Sequence, residues 1–454
     1  MAVEHARSHR TGYFDAMGKR HGGWLERLGL GRPELRAWAL YDWGNSGFVT
    51  TILAAVFPIY FAEVAAGDLP RVEATVRFSA ATTLALAISA VLSPLLGAMA
   101  DRRGERVPLL RASTLIAVAA TAALALVGRG DWKLAAVLFA VANIALSASF
   151  VFYDSLLPAI ADEREVDRVS GAGYALGYLG GGILLALNLA WITNPTTFGL
   201  ADSEAAARLS FLSAALWWAA FAIPLLRRRN LGATALPARP LGSVVPAVLA
   251  TLAGTVRELR KHRPAFLMLI AFLIYSDGIG TVIRMATIYG AEIGIGRGSM
   301  ITALLVTQVV GVPFTFLFGA LGERLGAKRA IFLGLGAYCA ITVLVFFMRT
   351  PAHFFALAFL VGTVQGGTQA LSRSLFSSLI PRNRSGEFFG FFSIADKFAG
   401  ILGPAVFAAT AALTGTSRSA VAAVAIFFVL GGAILAFVDV DAGRRSVRGG
   451  NLIG

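Results

Sequence analysis

Cysteine is almost missing from the 454 residues: Cys339 stands alone, so no disulfide can form within the chain and nothing points to thiol redox chemistry. Histidine is nearly as scarce. His5, His9, His21, His262 and His353 are the five, and none falls in the HExxH spacing of a metal site. There is no Walker A pattern and no nucleophile–base pair, so neither an ATP-driven pump nor a membrane enzyme has a basis here, and no cofactor or metal is called for. Charge is thin as well, at 15% of residues against 57% apolar, with a mean hydropathy of +0.71. A soluble domain with so little charge could not cover its own surface.

What is present instead is apolar sequence in long runs. Stretches of about 20 or more apolar residues recur, each long enough to cross ~30 Å of hydrocarbon. The spans fall at 37–64, 76–100, 108–128, 132–160, 169–194, 206–226, 265–291, 298–322, 328–348, 352–380, 387–414 and 418–438. That predicts an all-α polytopic membrane protein of twelve transmembrane helices. The first 36 residues are polar and Arg-rich with no apolar h-region, so no cleavable signal peptide is expected.

The net charge of +14 raises nucleic acid as a partner. Its placement argues against that. With residues 1–36 inside, 29 of the 40 Lys and Arg fall on the cytoplasmic side and eight on the other. This is the positive-inside asymmetry of an inner (cytoplasmic) membrane protein with both termini in the cytoplasm.

Three short sequences occur twice. GAMADRRGER (97–106) returns as GALGERLGAK (319–328), YDSLLP (153–158) as FSSLIP (376–381), and IYFAE (59–63) as IYGAE (288–292). Three echoes in order, at offsets of 222 to 229, indicate two homologous six-helix halves. The organisation is therefore a cytoplasmic segment 1–36, a bundle 37–226, a linker 227–264, a second bundle 265–438 and a tail 439–454. The linker holds VVPAVLATLAGTVRELRKH, which reads as an amphipathic helix lying on the membrane surface.

Two pseudo-symmetric six-span bundles are the architecture of major facilitator transporters, and the repeated decapeptide resembles that superfamily's signature loop. Its physics is independent of the name. Gly97 and Gly319 permit close helix contact, and Gly104 and Gly326 permit the tight turn. Asp101 and Glu323 set negative charge where a helix N-terminus carries partial positive charge. In the resembled fold Asp101 meets the start of span eleven near Gly386, and Glu323 the start of span five. Arg102, Arg106, Arg324 and Lys328 would then add ion pairs between the halves, making a cytoplasmic latch that opens when the protein faces inward. The plainer alternative is turn chemistry with topogenic charge.

ELRAWALYDWGNSGFVTTILAAVFPIYF (34–61) and QGGTQALSRSLFSSLIPRNRSGEFFGFFSIADKFAGILGP (365–404) resemble the vacuole-effluxer branch of the superfamily, typified by an autophagy-related amino-acid exporter of fungi with bacterial relatives. Gly44 and Gly47 replace the Ala-rich form of the first motif. The resemblance implies efflux of neutral amino acids in the fungal members and names no substrate for bacterial ones.

Ionisable groups inside a membrane are costly unless they face a cavity or a partner. Here they lie on spans one, four, seven, ten and eleven: Asp42; Asp154; Asp277 and Arg284; Arg373; Asp396 and Lys397. Gln365, Gln369, Arg373 and Ser377 form a stripe at i, i+4, i+8 and i+12, Asp42 shares a face with Asn45, Asn143 with Ser147, and Tyr174 with Tyr178. Such groups suit a small zwitterion, with Arg373 or Lys397 for its carboxylate and Asp42 or Asp277 for its amine. Asp42 and Asp154 also lie near the cytoplasmic end, where either could belong to the latch. Gln308, alone on span eight, reads as an interhelical hydrogen bond.

The function expected is secondary transport of a small solute by alternating access, in a monomer embedded in lipid, with Asp277, Asp42 and Asp396 as the carboxylates for proton coupling. The alternative on the same scaffold is a lipid or amphiphile translocator, with EFFGFFS (387–393) supplying a lateral opening. A receptor that does not transport is the remaining reading.

Overall fold

The computed structural model describes residues 23–228, 231, 262–292, 295, 297–398, 402–414, 419 and 423–450. The surface helix expected within 227–264 lies outside them apart from a few residues at its ends. All regular structure among the described residues is helical. The first half holds α1 (Pro33–Ala65), α2 (Arg71–Arg103), α3 (Arg106–Leu126), α4 (Trp132–Ile160), α5 (Val166–Thr193) and α6 (Ser203–Leu226). The second holds α7 (Arg263–Glu292), α8 (Arg297–Leu325), α9 (Ala327–Phe346) and α10 (Pro351–Ser378). It continues with α11 (described over Ser385–Phe398 and Leu402–Thr414), α12 (Ala425–Ala436) and α13 (Val440–Gly450).

Ten of these helices are long and apolar enough to cross a membrane, and α12 with α13 makes a further pair bent by 53°. Past span twelve the chain turns at 437–439 into the basic α13, whose Arg444, Arg445 and Arg448 cannot enter hydrocarbon. Span one starts earlier, because Pro33 at the first helical position begins α1 four residues before the apolar run.

Loop chemistry sets the tight connections. α2 stops at Gly104, whose φ of 64° is the left-handed region that glycine occupies without penalty, and α3 begins two residues later. In the second copy one residue, Gly326 at φ 87°, separates α8 from α9. Elsewhere, Asp202 caps α6 by accepting from the Ala205 N–H at 2.8 Å.

Buried apolar side chains form two large cores, one from Leu35 to Leu225 and the other from Ala265 to Val438, and a small third cluster of Leu30, Ala39 and Ala172 against which Phe316 of α8 packs. Each bundle thus packs on itself, and the two meet chiefly where α5 lies along α8 and α2 along α11. The α2–α3, α4–α5, α8–α9 and α10–α11 connections share one face of the molecule, called the latch face below.

Candidate functional site

At the latch face, backbone meets backbone. A Cβ on Gly97 would overlap the Gly386 carbonyl, and one on Gly386 would sit 2.7 Å from the Gly97 carbonyl oxygen. That contact brings Asp101 over the first turn of α11, where its carboxylate accepts from the N–H groups of Gly386 (3.0 Å) and Glu387 (2.7 Å). Those N–H groups have no partner inside their own helix, so a carboxylate there satisfies them and faces the positive end of the dipole. Arg106 closes the arrangement. It donates to Asp101 at 2.6 and 3.1 Å and to the Arg382 carbonyl at 3.1 Å.

The second copy is built differently. Gly319 packs against Gly171 of α5, and Glu323 pairs with the guanidinium of Arg168 in the first turn of that helix. Beside it, Ser374 of α10 donates to Asp167 at 2.6 Å. Lys328, expected in an ion pair between the halves, instead donates at 2.8 Å to the carbonyls of Ala436 and Val438. It ties off the carbonyls at the end of α12 within its own bundle. Arg324 is exposed, and the Arg102 side chain lies outside the described residues.

Deeper between the bundles lies Arg373 of α10, only 2% exposed and held almost wholly by the other half. Its Nη1 donates to Asp154 Oδ1 at 3.0 Å and stands 3.7 Å from Asp42 Oδ2. Nε donates to Ser170 Oγ at 3.0 Å, and Nη2 to the Ser170 carbonyl at 3.1 Å. The guanidinium plane lies over Trp38 and Tyr174, 4.7 and 4.4 Å from their ring centres. Arginine suits this place because its rigid fork meets several acceptors at once while its faces stack on aromatics. Trp38 is fixed in turn, stacked on Tyr153 at 4.5 Å, and the Tyr153 hydroxyl donates to Asp42 at 3.2 Å.

This cluster floors a cavity of about 200 Å³ between the bundles. Asp42, Asp154, Tyr178, Gln365, Gln369 and Arg373 line it, and so do Tyr174, Ser46, Thr50 and Gln308. The side chains of Arg284, Asp396 and Lys397 lie outside the described residues. Three sequence-selected residues are elsewhere. Asn45 and Asn143 are buried without reaching the cavity. Asp277, 1% exposed, accepts from the Gly403 N–H of α11 at 2.9 Å and does not line the cavity. The aromatic run EFFGFFS also differs from expectation. Phe388, Phe389 and Phe392 are buried in the second core, with Phe392 stacked on Phe272 at 4.1 Å, so they form no lateral opening.

Sequence reasoning passed over Trp38, Tyr153 and Ser170. The motif YDWGNS draws the eye to Asp42, but the groups that fix Asp42 and Arg373 come from α4 and α5. Gln308, standing in no stripe, read as an interhelical hydrogen bond, and it lines the cavity.

The latch face is further tied by both chain ends. Arg32 donates to the Ile160 carbonyl at 2.7 Å and pairs with Glu165. Arg448 of α13 donates to Glu163 at 3.0 Å, crossing from the second bundle to the first. The Arg448 hydrogen bond holds the Glu163 carboxyl below its ordinary range.

A family model described as "Vacuole effluxer Atg22 like" matches residues 31–448. The chain belongs to the Atg22-like vacuole effluxer family. The chain is 38% identical over 407 residues to the MFS-type transporter YxiO of Bacillus subtilis (strain 168), covering 89% of this chain and 94% of that one. It is 27% identical over 310 residues to autophagy-related protein 22 of Yarrowia lipolytica, covering 61% of this chain and 51% of the fungal one, so it spans about half of that relative. Among solved structures, the fucose transporter FucP in its outward conformation superposes with a TM-score of 0.66 at 14% identity, over 90% of this chain and all of that one. The proton:xylose symporter XylE gives 0.64 at 14% identity, over 91% of this chain and 96% of that one. The fold is thus that of the major facilitator superfamily, and the chain is a membrane transporter rather than an enzyme.

Proposed function

We propose that the chain exports a small zwitterionic, amino-acid-like solute by alternating access, as a monomer in the cell membrane with its latch face in the cytoplasm. The observation that carries this reading is Arg373: a side chain of one bundle bound inside the other, at the floor of a polar cavity. Each hydrogen bond between the bundles among the described residues lies on the latch-face side of that cavity or at its floor, from Ser93–Ser393 to Arg448–Glu163. A carrier closed on that side and ready to rock open fits this distribution. The residue set 97–106 and 319–328, with Asp154, acts as the cytoplasmic gate.

Asp42 and Asp154 share one guanidinium, so a proton taken by Asp42 can exchange with a solute amine at the cavity floor without leaving Arg373 unpaired. Asp42 is therefore the coupling carboxylate in this reading. Asp277, which accepts from the Gly403 N–H, stands outside the cavity. The test is counterflow in proteoliposomes with an internal pH dye. Solute-driven pH change persisting in Asp42→Asn, or lost in Asp277→Asn with counterflow intact, reverses the assignment. Absence of counterflow for every amino acid, dipeptide and sugar tried would remove the solute class.

A further inference from the structure

Arg373 comes from the second bundle, but the slot that holds its guanidinium belongs to the first. Trp38 and Asp42 of α1, Tyr153 and Asp154 of α4, and Ser170 and Tyr174 of α5 surround it. Two oxygens of Ser170 accept along one edge, while Asp154 and Asp42 stand 3.0 and 3.7 Å from Nη1. Gly173 keeps the space open. A Cβ there would come within 3.1 Å of Arg373 Nη2 and 2.7 Å of the Trp38 ring.

The slot is braced without help from Arg373. Trp38 Nε1 donates to the Tyr153 carbonyl at 3.0 Å, and Tyr153 stacks on Tyr41 at 5.1 Å. The Tyr41 hydroxyl is hydrogen-bonded to Thr114 at 2.8 Å. All of these groups lie in the first bundle, so rings and acceptors stay in place when α10 moves away. Alternating access draws the bundles apart at the latch face and takes Arg373 out. What it leaves behind is a preformed site that has just lost a guanidinium, open to the latch face. Its shape selects the replacement, because aromatic faces and spread acceptors suit a planar fork of donors better than the compact charge of an ammonium.

We infer that this slot is the cation subsite of the carrier, filled in turn by a guanidinium group of the solute and by Arg373. The returning arginine displaces the cargo into the cavity as the latch closes. This rests on the carrier reading above and names its solute class: an amino-acid-like molecule that bears a guanidinium. Affinity is then high while the latch face is open and falls once Arg373 takes the slot back, so the two sides of the membrane meet different sites.

Two measurements on the full chain test this. In proteoliposomes, counterflow of labelled L-arginine by wild type should exceed that of citrulline, its uncharged counterpart of nearly the same shape, at least ~10-fold, the scale set by hydrogen bonds to a charged group. In detergent, Arg373→Ala leaves the slot without its resident. L-arginine or methylguanidinium should then raise the melting temperature of this variant more than that of wild type, and citrulline should not. Adding Gly173→Ala to Arg373→Ala narrows the slot and should cancel the rise. Citrulline matching arginine in counterflow, with no stabilisation of Arg373→Ala by either cation, overturns the slot and leaves a carrier of neutral solutes standing. Lysine matching arginine in both measurements overturns the guanidinium assignment. No counterflow of any amino acid by wild type overturns the carrier reading and, with it, the part of the slot in transport.

Discussion

Arg373 of α10 donates to Asp154 of α4 across 3.0 Å, joining the two bundles at the floor of the polar cavity. Both groups are shielded from water, so removing one leaves the other's charge buried and unbalanced. Breaking a buried pair in this way costs about 3–5 kcal/mol. Arg373→Ala is expected to lower the melting temperature by that equivalent and to abolish counterflow. Adding Asp154→Asn to Arg373→Ala should recover part of the stability without the transport. Equal melting temperatures for wild type and Arg373→Ala in detergent would contradict this.

Gly97 and Gly386 leave no space for a side chain between α2 and α11. Gly97→Val should hold the latch face open with either bundle intact, because the two cores share no residue. A thiol probe on Ser377→Cys in a Cys339→Ser background reads this directly. Its labelling from the latch face should rise about tenfold, the shift expected for ~1.4 kcal/mol between the two states.

Asp101 accepts two N–H groups of α11 while paired with Arg106. Asp101→Asn keeps the shape and loses the charge-assisted bonds, so a loss of about 1–3 kcal/mol in closed-state stability is expected. Glu323→Gln should cost less, since Glu323 meets Arg168 and is partly exposed. The same thiol-accessibility assay ranks the two, and a larger effect from Glu323→Gln would reverse the order.

Glu163 is held below the ordinary glutamate range by Arg448. A depressed carboxylate stabilises the docked state fully above its undocked value, about pH 4.3, and the contribution is lost as pH falls through the lower docked value. The α13 contact should therefore be intact at neutral pH and release only in acid. Fluorescence transfer between labels on α13 and the 161–165 loop measures it. Arg448→Glu should release the helix at pH 7, and a helix still docked in that variant would show that Leu379 and Pro264, which pack on Gly443, suffice.

Much of this was legible in the sequence for a physical reason: hydrocarbon length fixes span length, and burial cost confines charge. The all-helical membrane fold and the gathering of Asp42, Asp154 and Arg373 at one cavity follow from those two constraints. Pair identities did not follow. Asp277 read as a cavity acid because the pattern cannot show that its carboxylate meets the Gly403 N–H of α11. Asn45 and Asn143 followed the stripes of their helices and still faced inward, since helical periodicity gives a shared face but not which neighbour that face meets. Lys328 looked like its counterpart Arg106, yet the turn of the chain after α12 presents it with carbonyls.

The central claim, that the Arg373 junction forms and breaks in each transport cycle, is tested most directly by a distance. Spin labels on Ala159→Cys and Asn383→Cys, with Cys339→Ser, report the separation of the α4 and α10 ends by electron–electron resonance in lipid. Two distances are predicted, the short one dominant in resting protein and the long one gaining population when transported solute is added, or in Arg373→Ala. A single unchanging distance in protein that still transports would contradict the account.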